Sequence, residues 1–241
     1  MSGWYFIPWN FQYLISACAA ILLTIYVVRG DYRHVTYRCF LFFGLSLALS
    51  QIFLFLYRSA PTADLSVVFR RVDESFILLI MPFMLMALLS LLDKKKKVRL
   101  LVALAPALIV VAFMFVGVPL YMVWSDIGWV TRTTSLYYPV LAYSTFTAYL
   151  IAVIIAGTIF IREVDIFRTT QKKYKLILLS ITILIASILA TNSIMQVFPN
   201  FTPFGGITVT IVCAIMAYAI HLKSRIKFVV GESKEIPIPI S

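Results

Sequence analysis

No aspartate or glutamate falls in the middle of any long apolar run of this sequence. Acidic groups at that depth in a membrane are costly and mark proton relays and cation pathways, so those function classes lose their support. The last long run, PFGGITVTIVCAIMAYAIHL, meets no lysine until Lys223 at its end, which argues against a retinal Schiff base. The two histidines, His34 and His221, stand at the ends of runs without an HxxxH spacing, leaving a haem or metal site without a ligand set. Cys18, Cys39 and Cys213 lie in or beside apolar runs with no CxxC pair and read as small buried hydrophobes. P-loop, glycine-rich nucleotide fingerprint, zinc motif and GxSxG elbow are all missing. A protein without enzymatic chemistry, cofactor or metal is therefore expected. The N-terminus has neither a basic n-region nor a small-residue cleavage site, so the first apolar run is expected to be retained as a span.

What is present is apolar length. Hydrophobic residues make up 62% of the 241 positions and charged residues 13%, against about 25% charged in ordinary soluble domains. The net charge of +11 lies in short clusters between apolar runs and not along one amphipathic face, so no nucleic-acid partner is expected. A helical crossing takes roughly 20 apolar residues, and that ruler places spans near 9–28, 39–57, 67–92, 98–117, 138–161, 176–196 and 204–222. Of the 21 Lys and Arg, seventeen fall on the side of alternate connections that includes the C-terminal tail, and four on the other. By the positive-inside rule this predicts an all-α integral membrane bundle of seven transmembrane helices in the cell membrane, N-terminus outside and C-terminus cytoplasmic. Residues 1–226 form the bundle and 227–241 a short cytoplasmic tail.

Three features stand out at the outer side. In FRRVDES, at the start of the third span, Arg70 lies three and four residues before Asp73 and Glu74, and Arg71 three before Glu74. Such spacings pair on one helix face, giving either a self-neutralised helix end or a charged rim that meets a ligand. In TNSIMQ, Asn192 and Gln196 are i, i+4 in the outer half of the sixth span, as helix–helix hydrogen bonders or as a polar floor to an outer pocket. Trp4, Tyr5, Trp9, Tyr121, Trp124, Trp129, Tyr137 and Tyr138 gather at the outer ends, as an interfacial belt or as pocket walls. The sequon at Asn200 is followed at once by Pro203 and reads as chance, and Lys94 to Lys97 read as topology and anionic-lipid contact. The ligand-binding candidates are Arg70, Arg71, Glu74, Trp124, Trp129, Asn192 and Gln196.

The order of features resembles the seven-helix N-terminal sensory region found on many membrane histidine kinases and some cyclases. The pieces that carry the likeness are FRRVDESFILLIMPFMLMALLSLLDKK, the run YKLILLSITILIASILATNSIMQVFPNFTPFGG and the closing AYAIHLKSRI, over about residues 5–226. Asn192 and Thr202-Pro203 stand where that family often carries an asparagine followed by a Thr-Pro turn. The resemblance implies an outward-opening pocket for a small or lipophilic signal, and a last helix that passes a movement to a cytoplasmic output domain. After Ile226 the sequence offers only KFVVGESKEIPIPIS, with no phospho-accepting helix pair, and Pro237 and Pro239 would stop a signalling helix. The expectation is a sensor module whose output lies in a cytoplasmic or membrane partner, or a piece of a longer chain. Its other partners would be the bilayer, a small-molecule ligand and a second copy of itself. A small integral subunit of a larger complex and a transporter of apolar solutes are the alternatives, the latter without the internal repeat such folds carry.

Overall fold

The computed structural model describes residues 3–29, 35–92, 97–117, 120–126, 128–133, 137–163 and 206–215. A short 3-10 helix over Pro8–Asn10 leads into α1 (Phe11–Val28), then α2 (Val35–Ser59), α3 (Ala63–Leu92) and α4 (Lys97–Gly117). A hairpin of β1 (Leu120–Ser125) and β2 (Gly128–Thr133) precedes α5 (Tyr137–Glu163), and Gly206–Ile215 form a further helix, α6. The described chain is thus mostly helical. Two segments, Pro8–Val28 and Tyr37–Ser59, are long and apolar enough to cross a membrane.

The helices coincide with the apolar runs, and their ends explain the differences. The third begins at Ala63 instead of the predicted 67 because Thr62 caps it. The Thr62 hydroxyl accepts from the Leu65 N–H at 3.3 Å, its carbonyl accepts from the Ser66 N–H at 3.1 Å, and Asp64 lies in the first turn. A side-chain acceptor and an acidic group there answer the unpaired amides and the helix dipole. Only residues 60–62 join α2 to α3, so the two run antiparallel and form the most extensive helix pair of the fold. α1 packs on α2 at Gly44, where a Cβ would run into the Thr24 hydroxyl. That hydroxyl donates to the Ala20 carbonyl at 2.7 Å, the local solution for a polar group among apolar neighbours. One hydrophobic core runs through the bundle, with Leu23, Phe43, Met81, Ala107, Val153 and Val212 contributed by six different helices. The outward faces are apolar as well, with Leu22, Ile109, Ile155 and Ile211 all exposed.

The all-helical expectation needs one correction. The connection after the fourth apolar run folds into an antiparallel hairpin, with Tyr121 opposite Arg132, Val123 opposite Val130 and Trp124 opposite Trp129. Its strands are rich in β-branched and aromatic side chains about a Ser-Asp-Ile-Gly turn, the composition that fits a pleated surface. Gly128 takes φ +95°, a conformation open to glycine and strained for other residues. The Ser125 hydroxyl closes the turn by donating to the Gly128 carbonyl at 2.8 Å. The segment 176–196, Asn192, Gln196, Thr202-Pro203 and the tail 227–241 lie outside the described residues.

Candidate functional site

Antiparallel connection brings the start of α1, the end of α2, the start of α3 and the hairpin to one end of the bundle. A polar cluster is buried there. It begins with Arg58, one residue before α2 ends, whose side chain is among the largest fully buried in the described chain. Its guanidinium carbon lies 5.9 Å from the centre of the Tyr13 ring of α1 and 5.4 Å from that of Tyr57. Cations over aromatic faces at such distances gain quadrupole attraction that strengthens as water is removed.

The second half belongs to α3. Arg70 forks between two carboxylates, with Nη1 at 2.6 Å from Asp73 Oδ2 and Nη2 at 2.6 Å from Glu74 Oε1. Asp73 is wholly buried and also accepts from the Ser50 hydroxyl of α2 at 2.7 Å. Arg70 completes the link by lying 5.3 Å from the centre of the Tyr57 ring. Tyr57 is therefore shared by the guanidinium groups of Arg58 and Arg70. Further into the bundle, Ser16 of α1 donates to Gln51 Oε1 of α2 at 3.0 Å. Charges this deep persist only when paired and hydrogen-bonded, and the Arg70 fork meets that requirement. Two hydroxyls do not. The Tyr13 and Ser59 hydroxyl oxygens are buried and have no hydrogen-bond partner among the described residues, although burying such a group unsatisfied costs about 1–3 kcal/mol.

The hairpin and the N-terminal segment roof this cluster. Trp129 Nε1 donates to the Ala60 carbonyl at 2.7 Å, and a Cβ at Gly128 would strike the Arg58 carbonyl oxygen. The Tyr5 N–H donates to the Ser59 carbonyl at 3.0 Å, while its ring packs on Trp124 at 4.7 Å. Trp124 meets Trp129 edge-on at 5.1 Å, and Trp4 stacks on Phe69 of α3 at 6.1 Å. The carbonyls left over where α2 ends are thus taken by the N-terminus and by the hairpin.

Of the residues singled out in the sequence, Arg70 and Glu74 come together in the i, i+4 pair that their spacing predicts. They lie at the edge of the buried cluster, their side chains 13% and 14% exposed. Arg71 reaches the Phe115 carbonyl of α4 at 3.2 Å, tying α3 to the end of α4. Trp124 and Trp129 sit in the roof, one half-exposed and the other turned to the end of α2. Asn192 and Gln196 lie outside the described residues. Sequence reasoning passed over Arg58, Tyr13, Tyr57, Ser59 and Ser50. Arg58 counted only toward the charge balance, and the rest are single polar residues in apolar runs, with Tyr13 45 positions from Arg58 and Ser50 23 from Asp73. The one signal was Arg58 standing directly before Ser-Ala-Pro-Thr, a cation beside a tight turn. Among the described residues no group of His, Cys, Asp and Glu is arranged to hold a metal ion. No protein-family model matches the chain, and no curated protein matches it.

Proposed function

We propose that this chain is a receptor-like membrane module of seven transmembrane helices that performs no catalysis of its own. Its N-terminus is outside, its tail cytoplasmic, and the roofed end of the bundle faces outward. It binds a small or lipophilic signal in the buried cluster and passes a helix rearrangement to a partner that carries the output. The charge asymmetry, the apolar outward faces of α1 and α5 and the resemblance to kinase sensory regions support this reading.

One observation carries it. Two buried hydroxyls, on Tyr13 under the Arg58 guanidinium and on Ser59 next to Arg58 in α2, lack hydrogen-bond partners among the described residues. A polar group placed among them would satisfy α1 and α2 at once and favour one spacing of α1 against the α2–α3 pair. A coupling on the order of 1–3 kcal/mol biases the two arrangements roughly 5- to 150-fold, within what one satisfied buried group supplies. Arg70, Asp73 and Glu74 hold the cluster's geometry, and the hairpin with Trp124 and Trp129 closes it.

The test is purification of the tagged full chain from its native membrane in mild detergent, with mass spectrometry of what accompanies it. A stoichiometric kinase, cyclase or regulator is expected, with an output that changes when Arg70→Glu and Glu74→Arg are introduced. A second reading, a structural subunit of a larger complex, is favoured by the Arg70 fork, which closes within α3 and needs no ligand. Recovery with subunits of a transport or energy-converting assembly, and indifference to the charge reversals, would replace the first reading by the second.

A further inference from the structure

The β1–β2 hairpin leaves apolar surface exposed beside the roof over the cluster. Tyr121 and Val123, on one face of β1, are 48% and 44% exposed, and Trp124, on the other face at the edge of the roof, is 44% exposed. The only charges on the hairpin are Asp126 in its turn and Arg132 near its end. A hairpin with one side packed and the other in water shows polar residues outward. This apolar patch continues into the N-terminal segment, tied to the hairpin by the Tyr5–Trp124 contact, where Trp4, Phe6 and Trp9 are exposed too.

We propose that the hairpin is seated in the outer headgroup layer of the bilayer, with strand β1 in contact with lipid and strand β2 holding the end of α2. The proposal rests on the membrane reading above and adds the partner of this surface. Two observations set the depth. Among the described residues the sheet has two strands, so each has an open backbone edge. Hydrocarbon cannot satisfy such an edge, whereas the hydrated headgroup layer can. Trp and Tyr, apolar rings with a polar tip, are the side chains that concentrate at this layer. Trp129 spends its indole N–H on the Ala60 carbonyl, while Trp124 across from it is half-exposed.

The test uses the full chain in lipid nanodiscs with single-tryptophan variants, the other tryptophans replaced by phenylalanine. Lipids brominated near the headgroup or near the chain end serve as quenchers. Trp124 should be quenched at least about twofold more by shallow than by deep bromine, and more than Trp129, as an interfacial ring requires. Ile155→Trp, on the exposed side of α5, is the control for embedding and should respond to deep bromine. Quenching of Ile155→Trp with none of Trp124 would overturn the seat and leave the membrane reading standing, whether water or a protein covers the patch. Quenching of neither would overturn both. Should the multiple replacements fail to fold, the unmodified protein is compared with Trp124→Phe alone, which should lose a measurable share of the shallow-quenchable emission, Trp4 and Trp9 supplying the rest. An unchanged shallow-quenchable fraction would overturn the proposal.

Discussion

Removing the Asp73 carboxylate should be the most damaging single change at the roofed end of the bundle. Asp73 is wholly buried and accepts two short hydrogen bonds, from Arg70 at 2.6 Å and from Ser50 at 2.7 Å. Asp73→Ala takes one carboxylate from the part-buried Arg70 guanidinium and the acceptor from the Ser50 hydroxyl, and breaking a buried ion pair from one side costs about 3–5 kcal/mol. Arg70 keeps Glu74 at 2.6 Å, so about 3 kcal/mol, the low end of that range, is expected. Asp73→Asn retains an acceptor for Ser50 and loses the charge, for about 1.5 kcal/mol. Glu74→Gln, at a side chain 14% exposed, should cost less, about 1 kcal/mol. Reversible unfolding by titration with a denaturing detergent, followed by circular dichroism, gives the three values. An Asp73→Ala cost below about 0.5 kcal/mol, or a Glu74→Gln cost above that of Asp73→Ala, would refute the view that the α2–α3 ion cluster is a buried, cooperative anchor.

Other expectations follow from single contacts. Gly128→Ala forces a strained backbone and a collision with the Arg58 carbonyl, so it should cost about 1–3 kcal/mol and speed proteolysis of residues 120–133. Trp129→Phe removes the hydrogen bond to Ala60 and should cost about 1 kcal/mol, seen as faster hydrogen exchange across the hairpin with little change in α5. Gly44→Leu overfills the contact with Thr24 and should lower stability by about 1–3 kcal/mol, whereas Ile155→Leu on an exposed face should stay within about 0.5 kcal/mol. Tyr13→Phe deletes a buried hydroxyl that lacks a partner among the described residues. It should leave or raise the stability of the ligand-free protein by up to about 1 kcal/mol and weaken any stabilisation that a bound signal provides.

The helices were legible because their cause is local. A continuous apolar run bounded by charge makes a helix whatever it packs on, and the ends at Val28, Leu92 and Gly117 follow from composition alone. The Arg70–Asp73–Glu74 fork was legible for the same reason, since its partners lie within one turn. The hairpin was passed over because in an apolar sequence strands rich in aromatic and β-branched residues read as interfacial belt, and only the Ser-Asp-Ile-Gly turn separates the two readings. The centre of the site was hidden by distance along the chain. Tyr13 reaches Arg58 across 45 residues, and Ser50 reaches Asp73 across 23. Such pairings are set by the crossing of α1, α2 and α3, which no periodicity encodes.

The roof over Arg58 also bears on how the chain is made. It gathers Tyr5, Ser59, Ala60, Phe69, Trp124 and Trp129 from four separate stretches, and its latch spans 69 residues. During synthesis the carbonyls of Ser59 and Ala60 emerge long before the hairpin that covers them. Until residue 129 has left the ribosome, the end of α2 with its buried arginine has only the N-terminal segment above it. Closure of the hairpin then follows the arrival of the first four helices, and an intermediate stopped before it would leave Arg58 and its neighbours without the roof that covers them.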